Sequence, residues 1–349
     1  MKRELRHRMT NSVGHHITIL GAGATGTLLA SILAQNGHQP TLWGRRPEFM
    51  QALAEKRENI TYLPGVPIPP QVRLTADEAM ACAAGELIIC AVPTQFIRTT
   101  LVRLVRHIPP GVPIISVAKG IENTTLLRPT EIITEICGLR RVVALAGPAI
   151  AGEIAAGLPT TIVAATTDSV LAKWTQQLLS TAYFRIYTNN DVIGVELAGA
   201  TKNVIAVAAG ILDGMHAGVN AKASLLTRGL VEMSRLGVTM GAHPLTFNGL
   251  AGLGDLVTTC FSPGSRNRSF GQWIGQGLSH QEALAKMSGV VEGIATTRSV
   301  VELARRREVD MPITQCLYAV LFEGKSPAAG IADLMSRRPR DERSASDRY

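Results

Sequence analysis

Aromatic residues are scarce, at 4% of the 349 residues. So few rings leave no row of stacking platforms for single-stranded nucleic acid, and no RNA- or DNA-binding pattern occurs in the chain. Charge is sparse too, 18% against 46% hydrophobic, which excludes a disordered chain. The five cysteines, Cys82, Cys90, Cys137, Cys260 and Cys316, have no C-x-x-C spacing. That excludes an ordinary cysteine zinc site and suits free thiols in a reducing cytosol. The histidines have no metal-ligand spacing, so no metal is expected, and no Ser-His-Asp or Cys-His arrangement stands out. Long uninterrupted apolar runs are also missing. The run at 17–20 is too short for a signal sequence, and the one at 194–210 is broken by Glu196 and Lys202, a poor membrane span. A cytoplasmic protein without membrane insertion is the expectation.

The net charge of +8 gathers partly at the ends, in Lys2, Arg3, Arg6 and Arg8 and in Arg337, Arg338, Arg340, Arg343 and Arg348. These read as solvated tails, a flexible extension at 1–14 and a basic tail at 339–349. The length suggests two domains between them. His16–Leu20 reads as a buried strand, followed by GAGATG at 21–26, a small-residue helix to about Asn36, and a second strand at Gln39–Trp43. The alternation continues with helices at 77–82, 95–107, 125–137 and 169–180. Strands fall between them at 87–92, 113–117, Val142–Ala146, Thr160–Ala165 and 184–187. Such alternation implies a doubly wound, mostly parallel sheet, here a dinucleotide-binding domain at 15–190. Beyond Asn190 only helices are expected, at 192–210, 222–236, 279–287, 296–305, 313–322 and 329–337. They make an all-helical substrate and catalytic domain at 191–338.

The glycines of G-x-G-x-x-G have separate tasks. Gly21 permits the tight turn, Gly23 lets backbone approach a pyrophosphate, and Gly26 lets helix and strand pack closely. The helix N-terminus then offers N–H groups to the phosphates, unless the motif is only a glycine-rich turn. Arg45 and Arg46 follow the second strand, where NAD-specific folds place a carboxylate. Two guanidiniums there suit the 2′-phosphate of NADP or are simply surface charge, so NADP or NAD is the cofactor expected.

Lysine is almost never fully buried unless paired or neutral, yet Lys202 lies in the apolar stretch 194–210. Either it occupies a solvated strip or it faces an interior cleft and moves protons there. Lys119 ends another strand, at the crevice mouth or in solvent; beside Lys202 it would lower that lysine's pKa. Asp255, after a glycine-rich loop, is a site carboxylate or a helix N-cap. Ser265, Arg266, Asn267 and Arg268 supply hydroxyl, guanidinium and amide for phosphate oxygens, or a surface helix start.

The segments GAGATG, LWGRR, VAKG, GPAIAGE, GATKNVIA, AGLGDL, SRNRSFG, VVEG and MPIT occur in that order from about His16 to about Arg343. In this the chain resembles the glycerol-3-phosphate dehydrogenases, the bacterial soluble NAD(P)-dependent type above all. The resemblance implies reversible reduction of dihydroxyacetone phosphate to sn-glycerol 3-phosphate, feeding phospholipid synthesis. It implies Lys202 as proton donor and acceptor, and Lys119 on both substrate and cofactor. Gly147, Ala149, Asp255, Ser265, Arg266 and Asn267 match substrate-binding positions, with Arg266 also near the cofactor. Ala24, Thr25, Arg45, Ala151, Val290 and Glu292 match cofactor-binding positions. A homodimer is expected on the same ground. Ala149 departs from the family's Gly-Pro-Ser/Thr and lacks a hydroxyl, a loss of about 0.5–1.5 kcal/mol in binding. Two rivals remain. One is a ketopantoate-type or other hydroxy-acid reductase of similar architecture; the other is a nicotinamide-binding protein that has lost catalysis.

Overall fold

The computed structural model describes residues 14–138, 141–287, 289–339 and 341–342. The expected extension at 1–14, from which only Gly14 is described, otherwise lies outside them. So do Arg340 and residues 343–349 of the expected basic tail.

Among the described residues ten strands occur: β1 (His16–Leu20), β2 (Gln39–Trp43), β3 (Glu58–Asn59), β4 (Leu63–Pro67) and β5 (Arg73–Thr75), then β6 (Leu87–Cys90), β7 (Ile114–Ser116), β8 (Val142–Ala146), β9 (Thr160–Ala165) and β10 (Phe184–Asn189). Eight of them form one sheet in the order β10-β9-β8-β7-β6-β1-β2-β5, and β3 with β4 is a separate antiparallel pair. Every neighbour in the large sheet is parallel except β8 with β9, which run antiparallel. The sequence reading has no helix between these two strands yet expects a parallel run; in the structure only the short α6 and a turn join them, and the direction reverses.

Helices α1 (Ala24–Gln35), α2 (Pro47–Lys56), α3 (Glu78–Cys82), α4 (Thr94–Leu104), α5 (Pro129–Cys137), α6 (Ala151–Ala155) and α7 (Ser169–Leu179) accompany the sheet. Alternate side chains of one strand enter different cores: Leu87 and Ile89 join the layer under α1 and α7, Ile88 and Cys90 the layer under α4 and α5. Both faces are therefore covered, as a near-continuous apolar strand requires. α5 begins four residues later than expected because Pro129 opens it. The residue before a proline avoids helical angles, and Arg128 is extended at ψ 157. Leu126, just upstream, is left-handed at φ 62.

The rest is helical: α8 (Val192–Gly214), α9 (Val219–Thr239), α10 (Pro244–Phe247), α11 (Asp255–Phe261), α12 (Arg266–Gly275), α13 (His280–Ala285), α14 (Glu292–Arg306), α15 (Pro312–Phe322) and α16 (Pro327–Met335). α11 and α12 were expected only as the alternative readings of Asp255 and of 265–268, and no helix was expected at Pro244–Phe247. α8 is long and apolar enough to cross a membrane, but most of it is buried inside the protein as the axis of the helical core. Its first turns also pack on the sheet, and Glu196 there accepts from Thr130 N at 2.8 Å and from Arg128 Nη1 at 2.6 Å. One carboxylate thus satisfies the free start of α5 and ties the two halves of the chain together.

α8 and α12 cross backbone to backbone. A Cβ on Gly271 would stand 2.0 Å from Val207 O, and one on Gly210 2.0 Å from Arg268 O. Gly214 and Gly275 extend the crossing by one turn on each helix. This close approach brings the start of α12 down beside Lys202 and Asn203. Gly271→Ala should cost about 1–3 kcal/mol, because backbone on both sides leaves the methyl no room. Gly152→Ala, where a Cβ would meet nothing within 4 Å, should be neutral or slightly stabilising. Urea denaturation of the two variants checks the contrast.

Candidate active site

Lys202 lies midway along α8 with its side chain 6% exposed, so it does not occupy a solvated strip. Its Nζ stands 3.0 Å from Asp255 Oδ1 and donates to Thr259 Oγ1 at 2.5 Å, and the Thr259 hydroxyl donates on to the same carboxylate oxygen at 3.2 Å. The other oxygen of Asp255 accepts from Lys119 Nζ at 2.6 Å, and Lys119 also donates to Gly147 O at 2.9 Å. One buried carboxylate therefore lies between two ammonium groups from different halves of the chain. Asp255 does not cap its helix: Gly254 is the capping residue and no side chain takes the free N–H groups.

The electrostatics follow from that placement. Burial pushes the Lys202 ammonium down to about 8; Asp255 opposes the shift and Lys119 adds to it. Burial alone would raise the Asp255 carboxyl, but Lys119 and Lys202 more than reverse it and hold it below the usual range. Burial also raises the Glu292 carboxyl, against a hydrogen bond from Thr94 N and the charges of Arg266, Lys202 and Lys119. Lys202 has three protons and two acceptors among the described residues, so one proton remains for a ligand oxygen.

A chain of amides fixes the surrounding loops. Asn203 Nδ2 donates to Lys119 O at 2.9 Å, Asn267 Nδ2 donates to Asn203 Oδ1 at 2.9 Å, and Gly293 N donates to Asn267 Oδ1 at 2.9 Å. The expected site residues Lys119, Lys202, Asn267 and Glu292 are thereby tied to one another through α8, α12 and α14. Ser265 caps α12 by accepting from Arg268 N at 3.3 Å. Both readings of this segment hold at once, since it is a helix start that also presents Arg266, exposed and beside Gly289, to the cleft. Arg268 is instead spent on Asp213, at 2.6 Å, together with Lys222. Ala149 and Ala151 pack against the sheet core, and Val290 is exposed on the rim before α14. Sequence reasoning assigned no role to Thr259 or Asn203. Thr259 lies one helical turn from Asp255, and the i, i+4 spacing was the signal available.

The residues at the sheet edge fit a dinucleotide. Gly21 has φ 112, and a Cβ on Gly26 would stand 1.9 Å from Gly21 O, so neither position admits another residue. A Cβ on Gly23 would meet nothing within 4 Å, which leaves open space at the start of α1 beside Ala24 and the exposed Thr25. Arg45 is exposed just after β2, whereas Arg46 lies over the Phe49 ring at 4.9 Å. A separate cavity of about 660 Å³, lined by Thr161, Val163, Tyr187, Leu250 and Ala251 among others, contains none of these residues.

The sequence matches the NAD-dependent glycerol-3-phosphate dehydrogenase N-terminus over residues 16–172 and the corresponding C-terminus over 191–332. The chain belongs to the NAD-dependent glycerol-3-phosphate dehydrogenase family. It is 47% identical over 331 residues to a glycerol-3-phosphate dehydrogenase [NAD(P)+] of Chlorobium limicola, covering 94% of this chain and 99% of that one. A Streptomyces coelicolor protein of the same description is 46% identical, over 93% of this chain and 97% of its own. Among solved structures, the glycerol-3-phosphate dehydrogenase of Coxiella burnetii superposes with a TM-score of 0.90 at 36% identity, covering 93% and 99%.

Thr259→Val removes the acceptor of one Lys202 proton and one of the carboxylate's donors. A hydrogen bond to a charged group contributes about 1.5–3 kcal/mol, so turnover should fall roughly ten- to a hundredfold with little change in folding. Steady-state kinetics beside a thermal melt check this.

Proposed function

We propose that Lys202 is the proton donor and acceptor in the reversible, NADH- or NADPH-dependent reduction of dihydroxyacetone phosphate to sn-glycerol 3-phosphate. The observation that carries this reading is the Lys119–Asp255–Lys202 cluster, in which Asp255 and Lys202 are buried, the carboxylate bonds both lysines and one Lys202 proton is left over. When bound, the nicotinamide supplies or takes a hydride at C2 of the substrate. Gly21, Gly23 and Gly26 with the start of α1 would hold its pyrophosphate, and Arg45 the 2′-phosphate that NADPH carries on its adenosine ribose. Ala24, Thr25, Ala151, Val290 and Glu292 line the same path, and Lys119 and Arg266 reach both ligands. Arg266, Asn267 and Ser265 would bind the substrate phosphate, and Gly147 and Ala149 would contact it through backbone alone. In reduction the Lys202 ammonium gives its free proton to the developing C2 alkoxide; in oxidation the neutral amine removes the hydroxyl proton. Asp255 stabilises the ammonium and holds it in line, so that proton loss occurs at the substrate side.

The functional division we infer is a dinucleotide-binding part at 15–190 and a substrate and catalytic part at 191–338. A cytoplasmic homodimer supplying phospholipid synthesis completes the reading; sedimentation tests the dimer. A hydroxy-acid reductase would have a carboxylate substrate, and a silent binder would take NADPH without turnover.

The deciding assay is loss of reduced-nicotinamide absorbance with dihydroxyacetone phosphate. Wild type should turn over, and Lys202→Ala should lose about 10²–10⁴-fold in kcat while still binding NADPH. No turnover by wild type sinks the assignment, and turnover surviving in the variant moves proton transfer to another group. Because the ammonium is the reactive form in reduction, kcat/KM for reduction should hold below about pH 8 and fall above it. Oxidation of glycerol 3-phosphate should rise through the same range. Arg45→Ala should raise KM for NADPH by roughly ten- to a hundredfold, a lost charge-assisted contact, and leave NADH nearly unchanged.

A further inference from the structure

Between α10 and α11 the chain makes a π-helical turn over Leu250–Gly254, in which Gly254 N donates to Gly249 O at 3.1 Å, five residues back. Such turns carry one residue more than the α-helix needs and recur at functional sites. The segments on either side are fixed by burial. Phe247 is fully buried before the turn, and Leu256 and Cys260 after it. Gly249 is extended at ψ −166, so the turn opens a new helix rather than continuing α10, and its width sets the angle at which that helix presents its residues. Ala251, Asp255 and Thr259, four residues apart, are all buried.

We propose that this π-helical turn aims Asp255 at Lys119 and Lys202, with Gly252 as its positioning residue. A Cβ on Gly252 would stand 2.0 Å from Phe247 O and 2.5 Å from Phe247 C and Cα, all backbone atoms. Any side chain there forces the turn to rewind, and Asp255 follows only three residues later. The turn packs on α8 and β9 and adjoins the cavity of about 660 Å³ that Gly249, Leu250 and Ala251 help to line.

A displaced Asp255 has a distinctive signature. The groups facing Lys202 are Asp255, Thr259 and Cys260 from α11, Lys119 from the loop after β7, and Glu292 from α14. With Asp255 turned away, burial and the Lys119 charge both oppose the ammonium, and the alkaline limb of reduction moves to lower pH. A loss of packing alone does not move that limb.

The test is a double-mutant cycle of Gly252→Ala and Asp255→Asn, read by kinetics, pH profile, NADPH binding and melting temperature. Gly252→Ala should lower kcat for dihydroxyacetone phosphate at least about tenfold, as misplacement of a catalytic group does. NADPH binding should persist and the limb should move to lower pH. The double variant should be no worse than Asp255→Asn within about twofold, because Gly252 acts through Asp255. Losses that multiply in the double variant, or a limb that stays in place, overturn the proposal. If Gly252→Ala does not fold, deletion of the half-exposed Leu253 removes the surplus residue without adding an atom. It should give the same signature, and wild-type kinetics in that variant also overturn the proposal. The inference rests on the proposed reaction, but the cycle measures coupling between Gly252 and Asp255 whichever group donates the proton. Turnover surviving in Lys202→Ala therefore counts against the acid–base assignment alone.

Discussion

A single carboxylate between two lysines organises this molecule. Burying Lys202 or Asp255 alone would be prohibitive, since an isolated ion in the interior costs several kcal/mol even after relaxation, and the partly exposed Lys119 adds the second cation. Together they leave one net positive charge, shared over short contacts of 2.6 and 3.0 Å. That residual charge suits a site for a phosphorylated substrate whose ketone becomes an alkoxide. The three groups come from the loop after β7, from the middle of α8 and from the start of α11. The triad therefore exists only when sheet and helical parts are docked, and assembly of the site and of the fold are one event.

The docking has its own supports, and they converge on the same loop. Asn203 takes hold of the Lys119 carbonyl, Ser299 donates to Ile121 O at 2.8 Å, and Arg128 pairs with Glu196 at 2.6 Å. The segment from Lys119 to Arg128 belongs to the sheet by connection and to the helical core by hydrogen bonding. Lys119 is thus held from both sides. The glycine crossing of α8 with α12 acts at the other end, lowering Asn267 onto Asn203.

Much of this was legible in the sequence where chemistry is local. A lysine in an apolar helix is anomalous by burial alone, and G-x-G-x-x-G between strand and helix states its own geometry. Seven of the sheet's eight strands were legible from alternation, and Ala24–Gln35 followed from its flanking turns, whereas the short edge strand β5 was not legible. What escaped depends on contacts between distant segments. Nothing local distinguishes β9 as antiparallel to β8, or marks Gly271 as the place where two backbones meet. Asp255 was open between cap and ligand because both uses favour a carboxylate after glycines; only the arrival of Lys119 decides between them. Thr259 was passed over since a threonine in an amphipathic helix is unremarkable until its partner across the cleft is known.

The departure at Ala149 bears on how the site divides its labour. The missing hydroxyl would have stood in the loop after β8, whose backbone already supplies Gly147 O to Lys119 at 2.9 Å. Gly147 is at φ 139, and a Cβ there would strike Ile162 at 2.9 Å, so this backbone is set by the sheet beneath it and not by the side chain two residues on. Loss of one neutral hydrogen bond is then a small change in substrate affinity, about 0.5–1.5 kcal/mol, while the carbonyl that orients Lys119 is untouched. On the proposed reading, binding and proton transfer draw on different parts of the same loop, and Ala149 falls outside the carbonyl contact that holds Lys119.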